Sequence, residues 1–442
     1  MQRGLLSGIK SKAAILSVIL VSNAFVWYYY AGAIIQEIST NSGFSYFDSL
    51  QVWASHFAML IVSAFIGASF ASKLGSRTRF LSIWMALGIA SPLMLLVVNP
   101  ADVTSVTFMG LIFGLSLGFG MPNCMGYFTS HTGVETRGRI GGLMMLVTGL
   151  SVIVLTSLVP SSVVAQALVL AGWRVFGLLS FILLKPHDEM KTEKTLSYKA
   201  ILSQRPFMLY FVPWVMFSLV NYLNRPVLQN VLEPAIISNL LIIENGLIGV
   251  FAIIGGFLVD TLGRKRMAII GFVTLGLGYA VLGVSPESSL SWYFHTAVDG
   301  IAWGILLVVF VVTVWGDLSH SAPSDKFYAM GVFPFFISGF LPLAVADQIA
   351  ITIPAYAVFS FTAFFLFLAV LPLVYAPETL PEKIMREREL KTYLEKAQKI
   401  AAKTEQNEDE SKQCENKDEK DFVEFRVQED DEKARELAEK YY

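Results

Sequence analysis

Trp292, His295, Asp299 and Trp303 are spaced 3, 4 and 4 residues apart inside an apolar run, so on a helix they share one face. With that run drawn from 290 to 316, Asp299 lies roughly 13 Å from its end at about 1.5 Å per residue. A carboxylate and an imidazole one turn apart at that depth can share or relay a proton. The expectation is proton coupling through His295 and Asp299; the alternative is a hydrogen bond that only packs helices.

Two other apolar runs carry groups suited to holding a small solute. The first presents Asn23, Trp27 and Tyr30 on one face, with Tyr28 and Tyr29 alongside, and the seventh presents Trp214, Ser218, Asn221, Tyr222 and Arg225. Aromatic faces stack on sugar rings or apolar moieties, and Asn offers paired donors and acceptors to hydroxyls. Asn23, Trp27, Tyr30, Trp214, Asn221, Tyr222 and Trp303 are therefore the candidate substrate-binding residues, a membrane-interface aromatic belt being the alternative. Glu37 and Arg225 stand at the outer ends of the same two runs and form a candidate gate, unless both are simply solvated.

The run GGFLVDTLGRKR, Gly255 to Arg266, joins two apolar segments and has a degraded copy, GASFASKLGSRT, at Gly67 to Thr78. Gly263 permits a tight turn, Asp260 can accept from a helix N-terminus or a nearby Arg, and Arg264 to Arg266 are expected to anchor at an anionic inner leaflet. Gly256, Asp260, Gly263, Arg264 and Arg266 together form a candidate conformational latch. The alternative is that the basic triplet only fixes topology. Ser72 stands where the later copy has Asp260, which predicts an asymmetric latch.

These residues need elements to hold them, and the composition says which. Hydrophobic residues make up 54% of 442 and mean hydropathy is +0.58, while nearly half of the charged residues lie beyond position 382. The body is expected to be all-α and membrane-embedded, because a spanning helix needs about 20 apolar residues. Twelve such runs can be drawn, among them 103–126, 165–184 and 207–223. The sixth is interrupted by Arg174, which must start its helix late, snorkel or face protein. Lys and Arg gather in alternate loops, so both termini are expected in the cytoplasm of a multi-pass plasma-membrane protein. The basic start followed by about 25 apolar residues reads as a first helix rather than a signal peptide. Cys124 and Cys414 supply no disulfide framework, and neither a metal cluster nor a phosphate-binding GxxxxGK[ST] is present, so no cofactor is expected.

The offset of 188 between the two loop copies recurs. Glu37 pairs with Arg225 and His56 with Glu244 at that spacing, and Arg137 with Lys326 at 189. Two related bundles are expected, 1–184 and 207–376, joined by a polar linker at 185–206 and followed by a charged tail at 377–442. Alternating Glu and Lys in that tail support exposed helix, and from 406 onward marginal helix or disorder. A cytoplasmic partner for the tail is one reading, a solvated extension the other. Gly110, Gly114 and Gly118 repeat every four residues, which lets helices approach closely.

Across about residues 10 to 380 the chain resembles the major facilitator superfamily. The resemblance rests on Gly256, Asp260, Gly263, Arg264 and Lys265, with weaker sugar-porter-like features at Arg137 and Gly138 and at Ala376 to Thr379. It implies twelve transmembrane helices in two pseudo-symmetric six-helix bundles, no enzyme activity, and secondary active transport of a small polar or amphipathic solute by alternating access. Proton symport of a sugar or organic acid is preferred over facilitated uniport and multidrug-type efflux. A non-transporting receptor and an intramembrane enzyme are further alternatives. Expected partners are the small-molecule substrate, protons and membrane lipids, with no nucleic acid, and the protein is expected to be a monomer.

Overall fold

The computed structural model describes residues 12–70, 75–158, 162–184, 196–223, 227–228, 231–320 and 322–381, with isolated positions and 430–436 beyond. Ser72, Arg225 and most of the linker and tail lie outside the described residues. Two compact units result, one up to Leu380 and one from Pro381 onward. Of the second, residues 430–436 are helical.

All regular structure in the first unit is helical, as required where no water satisfies backbone groups. In chain order the helices are α1 Lys12–Asn41, α2 Tyr46–Phe70, α3 Arg77–Leu93, α4 Val103–Gly118, α5 Met121–His131, α6 Arg137–Leu158, α7 Val163–Leu183 and α8 Tyr198–Leu202. They continue as α9 Arg205–Val220, α10 Pro234–Leu262, α11 Arg264–Val284, α12 Ser289–Leu306, α13 Val314–Leu318, α14 Asp325–Thr352 and α15 Ala355–Tyr375. A π-helical stretch, Leu307–Thr313, links α12 to α13.

Eleven spans meet the length and composition of a membrane crossing, not twelve; α9 has only 16 residues. The seventh run stops short because Asn221 leaves the helix and Tyr222 takes φ 65°, a region that side chains with a Cβ seldom occupy. The fourth run is longer than expected. It covers Val103–His131 and breaks at Phe119–Gly120, where Pro122 begins α5 without needing an amide donor. The sixth does not begin at Arg174: α7 starts at Val163 and Arg174 is buried in its middle, facing protein.

The glycines of α4 serve packing against α2. A Cβ on Gly114 would sit 2.3 Å from the His56 carbonyl oxygen, and one on Gly118 would sit 2.1 Å from that of Leu60. In the second half Gly300 and Gly304 of α12 lie as closely on α10. Helix starts repeat as well, Tyr46 with Pro234 and Arg137 with Asp325, each 188 residues apart.

The halves meet where α6 crosses α10 and where α2 and α5 run beside α14. At the first crossing the contact is bare backbone. A Cβ on Gly142 would lie 2.2 Å from the Ala252 oxygen, and one on Gly256 would lie 2.3 Å from that of Gly138. Apolar side chains of α7 such as Leu168, Phe176, Leu179 and Ile182 stay exposed, as a lipid-facing surface must.

Candidate functional site

On the face bearing the basic loops, charged residues from both halves converge. Asp260, near the end of α10, accepts from the Gly138 and Arg139 amides at the start of α6, each at 2.9 Å. A carboxylate from one half thus caps a helix of the other, meeting amides that lack an intrahelical partner and the positive end of the helix dipole. Arg139 Nε at 3.2 Å and Arg264 Nη2 at 3.2 Å complete its shell.

Arg264 is fully buried, which corrects its expected place at the lipid surface. Its Nε is 2.9 Å from Asp317 Oδ2, and Asp317 also pairs with Arg137 of α6. Burying three arginines is tolerable only because Asp260, Asp317 and Glu378 balance them and the remaining donors find carbonyls. Those carbonyls belong to Thr129, Thr132, Val134 and Val259. Glu378 accepts from the Arg264 amide at 2.8 Å and the Lys265 amide at 3.1 Å, so the segment after α15 caps α11. Gly263 turns at φ 101°, and any Cβ there would meet Glu378 at 2.3 Å. Arg266 is exposed.

The first half repeats this contact in reduced form. Arg77, at the start of α3, donates to both oxygens of Asp325 at the start of α14, at 3.0 and 2.7 Å. Gly126 of α5 leaves the room: a Cβ there would lie 2.0 Å from Asp325. Asp317 and Asp325 did not stand out in the sequence. The signal that could find Asp325 is its place 188 residues after Arg137, at the start of the equivalent helix.

The proposed binding face of α1 does not reach the space between the halves. Asn23 Nδ2 donates to the Trp173 carbonyl at 2.6 Å, its Oδ1 accepts from Arg174 at 2.8 Å, and Trp27 Nε1 donates to the Gly88 carbonyl at 3.1 Å. The Arg174 guanidinium lies 4.1 Å from the Trp84 ring centre. Asn23 and Trp27 therefore tie α1 to α3 and α7 inside their own half, and their polar atoms are occupied; Tyr30 is buried on the same helix. Glu37 accepts from Gln166 of α7 at 2.6 Å, and its expected mate Arg225 lies outside the described residues.

Residues of the second half form a continuous aromatic wall. Trp214 stacks on Phe310 at 4.7 Å and on Phe217 at 5.0 Å, Trp303 meets Phe217 at 5.0 Å and Phe335 at 6.0 Å, and Tyr222 stacks on Trp303 at 5.8 Å. Asn221 reaches Ser338 of α14 at 3.4 Å. Trp214 Nε1 and Ser218 Oγ are buried with no hydrogen-bond partner among the described residues. His295 does not share Trp303's surroundings: with Trp292 it packs on Tyr279 and Phe359, toward α11 and α15. Asp299 is buried between these two groups along α12. Between the halves only a small apolar void remains, lined by Phe25, Met121, Met125, Val311, Tyr328 and Val332 among others.

Outside the helices two pKa shifts have clear causes. Asp102 caps α4 and is held below its ordinary value by the Ser105 hydroxyl and by the Ser105 and Thr104 amides. Burial raises the Tyr198 phenol against the opposing Ser69 hydrogen bond. No cluster able to hold a metal occurs among the described residues.

Comparison with known proteins places this architecture. The structure is similar to that of the proton:xylose symporter XylE bound to 6-bromo-6-deoxy-D-glucose (14% identity, 83% of this chain and 96% of that one, TM-score 0.63). It is also similar to the E. coli fucose:proton symporter FucP (11%, 83% and 100%, 0.64) and the human organic anion transporter MFSD10, or TETRAN (14%, 84% and 100%, 0.55). At such identities the likeness shows the fold. No curated protein sequence matches the chain. The sequence itself matches the Major Facilitator Superfamily over residues 16–326, about seven-tenths of its length. With its multi-span, all-helical fold in two halves, the chain belongs to the Major Facilitator Superfamily of membrane transporters.

Proposed function

We propose that this protein is a proton-coupled secondary transporter that moves a small polar or amphipathic solute, a sugar or organic acid, by alternating access. The observation that carries the reading is the paired seal on the basic face. Asp260 on the α6 amides and Arg77 on Asp325 both join one half to the other and can break only if the halves part. Such contacts bias a two-state equilibrium by the energy they contribute in one state alone. Gly256, Gly263 and Arg264 hold Asp260 in place, and the basic loops put this face and both termini in the cytoplasm of a plasma-membrane protein.

The solute would rest on the wall formed by Trp214, Tyr222 and Trp303. Trp214 Nε1, Ser218 and Asn221 supply the polar contacts, and Tyr30 lies on the opposing half. His295 and Asp299 are the proposed coupling pair.

Uptake into vesicles reconstituted with purified protein tests this, using sugars, organic acids and amphipathic cations with and without a pH gradient. Accumulation of a sugar or acid only under the gradient supports the proposal. Equilibration without accumulation makes the protein a uniporter, preferential movement of the cations makes it an efflux carrier, and no flux of any probe overturns the transport reading.

A further inference from the structure

His56 of α2 is buried, and its Nδ1 lies 3.0 Å from the carbonyl oxygen of Gly110 on α4. A carbonyl only accepts, so Nδ1 carries the hydrogen and Nε2 presents a lone pair. That Nε2 is buried without a hydrogen-bond partner among the described residues. Buried nitrogens are seldom left so, and this one has no packing reason to be polar.

Three aromatic rings box the imidazole. Tyr28 stacks on it at 6.5 Å, while Trp53 and Phe57 meet it edge to face at 5.8 and 5.3 Å. Rings arranged around a cation stabilise it through their electron-rich faces. Tyr28 is the only titratable side chain whose ring meets His56 among the described residues; α4 presents Gly110 and Gly114, and α14 presents Phe336.

Two walls of the box are completed from the other half. Phe336 of α14 packs edge-on to Tyr28 at 5.8 Å, and Phe340 packs on Phe57 at 6.1 Å. Separating α2 from α14 therefore removes the backing of two rings and lets water reach Nε2. His56 is also one of the residues paired by the internal repeat, its mate being Glu244 on α10.

We propose that His56 is a proton-binding site whose access to water is opened and closed by the seam between α2 and α14. The proton enters from water onto Nε2 when the seam is open and is held by the aromatic box when it shuts. It returns to water when the seam opens again, and Nδ1 stays on Gly110 throughout. This rests on the transport reading and adds a second titrating group, in the half opposite Asp299.

The probe is the proton itself. Proteoliposomes on a solid-supported electrode receive a pH jump without solute, and the charge displaced is recorded for wild type, H56N, H56Q and D299N. Asparagine can keep the donor to Gly110 but cannot titrate. Loss of most of the displacement in H56N and H56Q, with both eluting as monodisperse protein, supports the site. Wild-type amplitude in either one overturns it, whatever D299N does. A flat wild-type response overturns it too and, with gradient-independent uptake, removes proton coupling from the transport reading; a displacing wild type with displacing H56N removes His56 alone. As a second arm, F340A leaves His56 intact but opens its box. Faster displacement is expected, and an unchanged rate counts against gating by the seam.

Discussion

Arg77 and Asp325 face each other across the two halves, with one guanidinium nitrogen 3.0 and 2.7 Å from the two carboxylate oxygens. Both side chains keep some exposure, at 17% and 10%, so water screens the pair and it contributes modestly.

Reversing either charge should loosen the seal without unfolding the protein. With Cys124 and Cys414 replaced and a cysteine placed at Ala329 beside the central void, Arg77→Glu and Asp325→Arg should each raise the labelling rate from the basic face by roughly three- to tenfold, corresponding to about 1 kcal/mol. The double swap should return it toward wild type. Equal rates in all four proteins would show that the pair does not hold the state.

Asp260 is buried and answers to a helix terminus and two arginines. Asp260→Asn leaves those cations with a neutral amide, and removing one member of a buried ionic cluster costs about 3–5 kcal/mol. The same labelling assay should respond far more strongly than to Ser72→Ala, in the copy that lacks the acid. Equal responses would contradict an asymmetric latch.

Gly114→Ala and Gly118→Ala force a methyl against backbone oxygen of α2 and should each destabilise by about 1–3 kcal/mol, read as a lowered thermal midpoint in detergent. Gly149→Ala, where nothing lies within 4 Å, should leave the midpoint unchanged or slightly raised. A similar fall at Gly149 would mean that helix packing is not what the midpoint senses.

Asn23 and Arg174 form a polar contact inside the first half. Asn23→Leu strands a buried guanidinium, whereas Arg174→Met removes the charge and keeps much of the volume. The first should lower the thermal midpoint more than the second, and the double variant should recover part of the loss. An additive double variant would mean the two residues do not interact energetically.

Apolar length and loop charge made the helical spans and the division into halves legible, because both follow from the cost of exposing backbone or charge to lipid. Which face of a helix looks where was harder. Asn23 and Trp27 share a face suited to a solute, yet the glycines at 88 and 177 draw that face toward α3 and α7. A Cβ at Gly88 would lie 2.6 Å from Arg174, and one at Gly177 would lie 2.5 Å from Asn23. Such slots depend on a neighbour more than 60 residues away. Arg264 was read as a lipid anchor for the same reason: its acid, Asp317, lies 53 residues on, and nothing local reveals the pairing. His56 entered the sequence reading only as a member of a repeat, since its orphan nitrogen exists only once α2, α4 and α14 have met.

The bare-backbone crossing of α6 over α10 also bears on how such a molecule could move. Interlocked ridges must climb out of their grooves before two helices can turn on each other. Gly138, Gly142 and Gly256 present no ridges, so the crossing is built as a plain bearing rather than a pair of gears. Resistance to turning then falls to the charged residues at its rim and to the aromatic side chains along α2 and α14. A single added methyl at the bearing should act as a brake: flux would fall while the solute still bound.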